Sequence, residues 1–532
     1  MVARAQLLDG WARMNLGDRA GAQAATLEAK ASYEAVGDRV GVSRALHNLG
    51  NIAEMSSDLP EAKKYFEQAI AIRREIQDNA GLARGLGDLG LVYEHSGDLA
   101  GALRIYGESL ALSRKAADAQ AVATALANMG NIYNSQGRSE EARRSYDEAA
   151  RIFREAQDRG NLALVLANLS NLAQKRGDLE GAEKMLEESA EILEQAGNQM
   201  GVGQIRGMLG NIDFERGNFP AARENYRKSA EIAGKAGDKV SVVFAETALS
   251  RMDRLEGDFA SARTQSEAAL AAAKEAGDAE ALAEARSNHA AVLLQAGDLA
   301  GARSAVEELL ADARKSGDKR FVAAALLSRA EMRMLQGDLD GAQNDLTQSL
   351  GLYRELKDSG NIMEGQMLAA RLALERSQGG KAAPLARQAL TTARKTSSIA
   401  AQARCQLLIA RAALEHAASA EAQTALAEAN VLIHKNPLPD LQLMYAALSA
   451  QAKARLQAAE AEKDLEAAMM KAGGKSSFDV QLESRIIAAV LQSQSGNAIA
   501  AATALAAIEK EAREHGFLLA ARRAKAAGSN GL

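Results

Sequence analysis

The sequence predicts an all-α protein, an α-solenoid of about thirteen antiparallel helix pairs. Three observations carry that prediction. Hydrophobic residues make up 47% of the chain but aromatics only 4%, with five prolines and one tryptophan, a balance that favours helices filled by small aliphatic side chains. A Gly-Asp dipeptide or a close relative recurs at one constant spacing, that from Gly17 to Ser57. Between these marks the apolar residues fall at helical spacing, as in Leu46, Leu49, Ile52 and Ala53, or Val122, Leu126, Met129 and Ile132. A length of 532 residues alone suggests three or four ordinary domains; the repeat replaces them with one elongated array.

The chain opens Met1-Val2-Ala3-Arg4-Ala5-Gln6 and moves directly into an amphipathic segment, without the basic and apolar stretches of a signal peptide. No run of about eighteen apolar residues suits a membrane span. One cysteine, Cys405, excludes an intramolecular disulfide framework and a cysteine-built zinc site. These features together read as a soluble cytoplasmic protein. A formal net charge of −5 is too small for a disordered chain or one that seeks nucleic acid.

The repeat sets the elements in order. Its first mark falls at Gly17-Asp18, Ser57-Asp58, Gly97-Asp98, Gly137-Arg138, Gly177-Asp178, Gly217-Asn218, Gly257-Asp258, Gly297-Asp298 and Gly337-Asp338. A second lies halfway between, from Gly37-Asp38 and Gln77-Asp78 to Gly317-Asp318 and Lys357-Asp358, so each repeat is cut into two equal halves. Each half is then one helix of about 15 residues plus a short turn. Glycine takes the left-handed conformation that ends one helix. The aspartate after it caps the next by accepting exposed backbone N–H groups. Pro60 and Pro220 stand in the first turn of a second helix, where a missing N–H is harmless.

Two positions set how closely the helices approach. The first helix always carries a small residue: Gly10, Gly50, Gly90, Gly130, Ser170, Gly210, Ser250, Ala290 and Ala330. The second carries alanine throughout: Ala22, Ala62, Ala102, Ala142, Ala182, Ala222, Ala262, Ala302 and Ala342. Glycine inside a helix costs up to about 1 kcal/mol, so its recurrence points to close helix crossing.

Leu49-Gly50 with Ala62, Phe66 and Ala69 resembles the tetratricopeptide repeat signature. So do Leu89-Gly90, Tyr93, Ala102 and Tyr106, and Met129-Gly130, Tyr133, Ala142, Tyr146 and Ala149. The unit, at about 40 residues, is longer than the family's usual length of about 34. The leading tryptophan is absent, and Arg74, Arg114 and Arg154 stand near the place of the closing proline. The longer unit looks like the family variant with extended helices. The resemblance implies a right-handed superhelix whose first helices line a concave groove.

The regular array covers residues 1–360, as nine repeats. Residues 361–515 read as degenerate repeats that continue it, with breaks near Gly379-Gly380, Ala417 to Ser419, Lys435-Asn436-Pro437, Gly473-Gly474 and Ser495-Gly496-Asn497. Residues 516–532 read as a short closing helix and a frayed tail; a separate helical domain over 361–532 is the alternative. Met1 falls at the start of a repeat's first helix with no capping helix before it, although solenoid ends normally need one. The expectation is a fragment or shortened product of a larger protein. Similar tandem arrays occur in bacterial signalling proteins behind a protein kinase or a winged-helix domain.

Catalytic patterns fail on context. Gly85-Leu86-Gly87-Asp88-Leu89-Gly90 matches G-x-G-x-x-G but lies inside a helix, whereas a dinucleotide fingerprint works at a strand-to-helix turn. Gly474-Lys475-Ser476 resembles the end of a phosphate-binding loop, yet Met469 stands where its first glycine belongs. The histidines His47, His95, His289, His416, His434 and His515 are scattered without metal-ligand spacing, so no metal or cofactor is expected. Cys405 reads as a buried inert thiol. Basic residues form no stripe, which argues against nucleic acid. No enzyme is visible.

What remains is a surface. In each first helix three positions spaced i, i+4, i+7 share a face: Arg44/Asn48/Asn51, Arg84/Asp88/Leu91, Thr124/Asn128/Asn131, Leu164/Asn168/Asn171 and Gln204/Met208/Asn211. The resemblance places this face in the concave groove. Asparagine amides donate and accept together and suit an extended peptide's backbone; Arg44 and Arg84 are placed to pair with an acidic group. Equally, the asparagines can bond one another or neighbouring backbone and set helix packing. The ladder fades after Asn211. Asp88 and Thr124 depart from the lysine- and arginine-rich clamp that some relatives use for chaperone tails. The leading reading is a non-enzymatic scaffold binding an extended peptide or protein segment. The alternatives are a sensor region of a signalling protein whose effector domain lies elsewhere, and a structural spacer.

Overall fold

The computed structural model describes residues 2–396 and 398–530. It is helical throughout, with no strand among the described residues. Helical segments run from Val2–Asn15 to Leu518–Asn530, and the longest, Pro439–Ala472, is broken at Gln457 (φ −148°, ψ 63°). Counting that break, thirteen helix pairs precede the closing helix Leu518–Asn530. Most helices have 17 or 18 residues, longer than expected, because the turn takes up so little of each half-repeat.

A residue with positive φ marks each described turn from Gly17 to Ser377. Glycine holds most of these places, but Ser57, Gln77, Ala117, Gln157, Lys357, Ser377 and Ala417 adopt the same left-handed conformation. Aspartates then cap as expected: the Gly41 and Gly81 amides donate to Asp38 and Asp78 at 2.8 and 2.9 Å. Arg138, which replaces aspartate, makes no capping bond to the backbone.

The nine second-helix alanines are at most 1% exposed, which lets neighbouring helices approach. The small first-helix residue has a more specific partner than helix crossing alone. A Cβ on Gly50, Gly130 or Gly210 would lie 2.6–2.7 Å from the ring of Phe66, Tyr146 or Tyr226. Each aromatic ring of the second helix thus lies on the bare backbone of its own first helix. Serines add bonds between helices: Ser109, Ser189 and Ser349 donate to the carbonyls of Ala83, Ala163 and Ala323 at 2.8–2.9 Å. Arg74, Arg114 and Arg154 pair with Glu108, Glu148 and Glu188, the same step along the chain each time, from one second helix to the next.

The chain divides into two compact units. Unit 1 is Met1–Ala173 with Glu180–Ala196, and unit 2 is Gln174–Leu179 with Gly197–Leu532. Repeats 1–5 therefore fall largely in unit 1 and repeats 6–13 in unit 2.

Within unit 2 the last helices return to earlier repeats. Phe478 packs beside the turn at Gly297, His515 Nδ1 lies 3.0 Å from the Gly297 carbonyl, and Arg522 donates to the Gly337 carbonyl at 3.3 Å. Leu482, Ile486, Leu505, Ile508 and Phe517 join one apolar cluster with Leu294, Met334, Leu335 and Leu372.

Candidate functional site

The ladder lies on first helices whose opposite side is the core. In repeat 2 (Arg39–Met55), Leu46, Leu49 and Ile52 are buried while Arg44 is exposed and Asn48 and Asn51 are half-buried. Repeat 3 (Asn79–His95) exposes Arg84 and half-buries Asp88 and Leu91. Repeats 4 (Ala119–Ser135) and 5 (Arg159–Lys175) expose Thr124, Asn131 and Leu164, with Asn128, Asn168 and Asn171 half-buried. The helical period alone places these side chains on the face away from the core.

Hydrogen bonding divides the asparagines. Asn131 Oδ1 accepts from the Tyr146 hydroxyl at 2.7 Å and from Asn168 Nδ2 at 3.1 Å. Asn211, in unit 2, accepts from Tyr226 at 2.7 Å. In each case the tyrosine that lies on the glycine reaches the asparagine just after it. In repeat 3 that place holds Leu91, which cannot accept, and the Tyr106 hydroxyl bonds Glu94 at 3.2 Å instead. In repeats 2 and 5 the second helix offers Phe66 or Leu186, which have no hydroxyl. Asn48, Asn51, Asn128 and Asn171 have no partner side chain among the described residues. Asn131, Asn168 and Asn211 thus take part in packing, whereas these four keep their amides open.

Asp88 sits 3.3 Å from His47 Nε2. Burial, and then Glu54, push its carboxyl up to about 6, against the pull of Arg73 and Arg84. Burial, then Arg73 and Arg84, hold His47 down to about 4. At neutral pH the contact therefore joins a neutral imidazole to a carboxylate and is no ion pair.

Two features escaped the sequence reasoning. Arg4, Leu8 and Trp11 hold the three ladder positions of repeat 1, and Leu8 and Trp11 are 59% and 56% exposed. Counting back one repeat from Arg44, Asn48 and Asn51 finds them. The second is the fate of the face in unit 2. At the position of Asn51, Asn131 and Asn171, repeats 9–11 carry Glu331, Arg371 and Arg411. Arg371 bonds Glu331 at 2.7 Å and Asp479 at 3.0 Å; Arg411 lies 3.1 Å from Glu375 and 3.3 Å from Glu483. Arg523 of the closing helix reaches the same Glu375 and Glu483, at 2.7 and 3.3 Å. The chain's own C-terminal helices thus occupy this face at repeats 9–11 of unit 2. The signal was present one turn further along each first helix, where Glu54, Glu94 and Asn134 give way to Leu294, Met334, Leu374 and Leu414.

Residues 36–202 match the family model described as the MalT-like TPR region. These are tetratricopeptide repeats. The repeat pattern continues at the same spacing on both sides of the matched segment. No curated protein matches it. Among solved structures, the apo form of RapI is 14% identical with a TM-score of 0.44, covering 52% of this chain and 99% of that one. A Rap protein complexed with competence and sporulation factor is 14% identical with a TM-score of 0.45, covering 67% and 98%. BtubC from P. vanneervenii is 19% identical with a TM-score of 0.36, covering 44% and 93%.

The catalytic patterns of the sequence find no matching context. Gly85 to Gly90 lie within the helix Asn79–His95, with no strand before them. Cys405 is fully buried, and burial pushes its thiol up to about 12. Among the described residues no group of His, Cys, Asp and Glu side chains is placed to hold a metal ion, and no helix is long and apolar enough to cross a membrane.

Proposed function

We propose that this tetratricopeptide-repeat chain is a non-enzymatic interaction scaffold that holds an extended peptide or protein segment along the first-helix face of unit 1. One observation carries the reading. The face that unit 2 covers with its own C-terminal helices carries no such helix within the described residues of unit 1, where it presents open amides at Asn48, Asn51, Asn128 and Asn171 beside exposed Arg44 and Arg84. Side-chain amides pair with an extended backbone whatever its side chains, and leave recognition to flanking groups. The exposed Leu8 and Trp11 extend the face into repeat 1 with apolar area.

Pull-down from the native cell extract, followed by peptide identification, supplies the segment. Trp11, the chain's one tryptophan, then reports its binding by fluorescence. Replacing Asn48, Asn51, Asn128 and Asn171 together by alanine is expected to weaken binding at least about tenfold, the equivalent of losing one or two net hydrogen bonds. Unchanged affinity in that variant overturns the reading.

A further inference from the structure

Repeat 12 reverses the chain without the signals used elsewhere. Its two helices run as one segment, Pro439–Ala472, broken only at Gln457. The chain does turn back there. Lys453 Nζ donates to the Asp464 carboxylate at 2.6 Å, although a straight helix would hold residues eleven apart about 16 Å from each other. Leu443, Ala447 and Ala450 pack with Ala461 and Leu465 across the hairpin.

Gln457-Ala458 holds the place that Gly337-Asp338 holds in repeat 9. It brings neither the left-handed glycine nor the capping carboxylate of a regular turn. The neighbouring turns have their own breakers: Pro437 in the one before, and Gly473 and Gly474, at φ 54° and 79°, in the one after. Residues 450–463 contain no glycine, proline, asparagine, aspartate, serine or threonine. They are alanine, glutamine, lysine, arginine, leucine and glutamate, all strong helix formers. The local preference is therefore a continuous helix, and only packing imposes the reversal. Gln451, Lys453, Gln457 and Glu460 are exposed, so the hinge lies at the surface.

The chain after the hinge has a defined seat in unit 2. Asp479 meets Arg371, Glu483 meets Arg411, and Arg523 meets Glu375. Phe517 joins the cluster around Leu294 and Met334, and the Lys475 carbonyl lies against the bare backbone of Gly257. Each of these contacts joins a residue after Gln457 to one before it, so a second copy can supply either side unchanged.

We propose that residues 458–530 exchange between two copies of this chain. Pro439–Ala472 then runs as one helix through Gln457, and the last helices of each copy take the seat in unit 2 of the other. The exchange remakes the contacts of the closed chain between copies and restores helical bonding at the hinge. Apart from the entropy of bringing two chains together, the hinge alone sets the balance.

The test uses the full chain, held at high concentration until equilibrium and read by light scattering after size exclusion. A species of twice the chain mass is expected. In a second sample, Lys453→Cys and Asp464→Cys are joined by a short bismaleimide; Cys405 is fully buried and stays unreacted. On denaturing gels the dimer is expected to give linked pairs of chains, and the monomer single chains. Gln457→Gly with Ala458→Asp restores the regular turn. It is expected to weaken dimerisation about thirtyfold, the cost of a glycine inside each of two straightened helices. No dimer at equilibrium, a dimer whose cross-links all stay within single chains, or dimerisation untouched by the double hinge variant each overturns the exchange. The cross-link result stands whatever that variant does to stability.

Discussion

The Tyr146 hydroxyl lies 2.7 Å from Asn131 Oδ1, and that bond separates packing asparagines from open ones. Asn131→Ala leaves the hydroxyl of the buried Tyr146 without that acceptor and is expected to cost about 1 kcal/mol, whereas Asn128→Ala, with no partner to lose, is near neutral. Thermal melts followed by circular dichroism distinguish them, and equal losses contradict the division. Asp88 gives a test in pH. Its carboxyl titrates near 6 in the fold against an ordinary value of 3.8, so the fold favours the neutral form and gains stability as pH falls from above 6 towards 4. Asp88→Asn is therefore expected to stabilise at pH 7.5, by about 1 kcal/mol after solvent screening of a side chain 30% exposed. That gain shrinks as pH falls below 6 and is gone by about pH 4. His47 moves the other way, losing stability as pH falls below its ordinary 6.5, and because it touches Asp88 the two effects do not simply add below that pH. A gain that grows on acidification contradicts the assignment.

At the scale of the element, the turn sets helix length and pairing. One residue in each turn from Gly17 to Ser377 takes a positive φ, and the aspartate that usually follows caps the next helix. Ala117 has φ 53°, a conformation that costs an L-residue about 1 kcal/mol, so Ala117→Gly is expected to stabilise by a similar amount. Gly97→Ala is its converse. Nothing stands within 4 Å of a Cβ at Gly97, so any loss is a backbone effect alone. Urea denaturation checks both, and a destabilising Ala117→Gly contradicts the role given to the turn. The helices, turns and caps were legible because each is written locally: a breaker, a cap and an apolar stripe recur within every helix and its turn. The aromatic ring on glycine was less so, since Phe66 and Gly50 meet only once the pair is folded. The reversal at Gln457 was passed over because no breaker or cap marks it in the sequence.

At the scale of the whole molecule, the sequence extends one pattern over all thirteen pairs, but the structure uses its first-helix face in two ways. The return of the last helices in unit 2 depends on contacts far apart in the chain, such as Arg371 with Asp479, and no local period encodes them. Only the change from Glu54 and Glu94 to Leu294 and Met334 records it. Phe517 is 1% exposed in that returning cluster, so Phe517→Ala is expected to destabilise unit 2 by about 3–5 kcal/mol. Affinity for a segment held by unit 1 should be unchanged. Denaturation and binding measured on the same variant check both halves.

We propose that a partner lies on the first-helix face of unit 1. Hydrogen exchange of the full chain, with and without the segment identified by pull-down, tests it most directly. New protection is expected within Arg39–Met55, Asn79–His95, Ala119–Ser135 and Arg159–Lys175, with Lys319–Leu335 and Ser359–Glu375 unchanged. Protection centred on the first helices of unit 2, or confined to second helices such as Leu59–Glu75 and Leu99–Lys115, contradicts it.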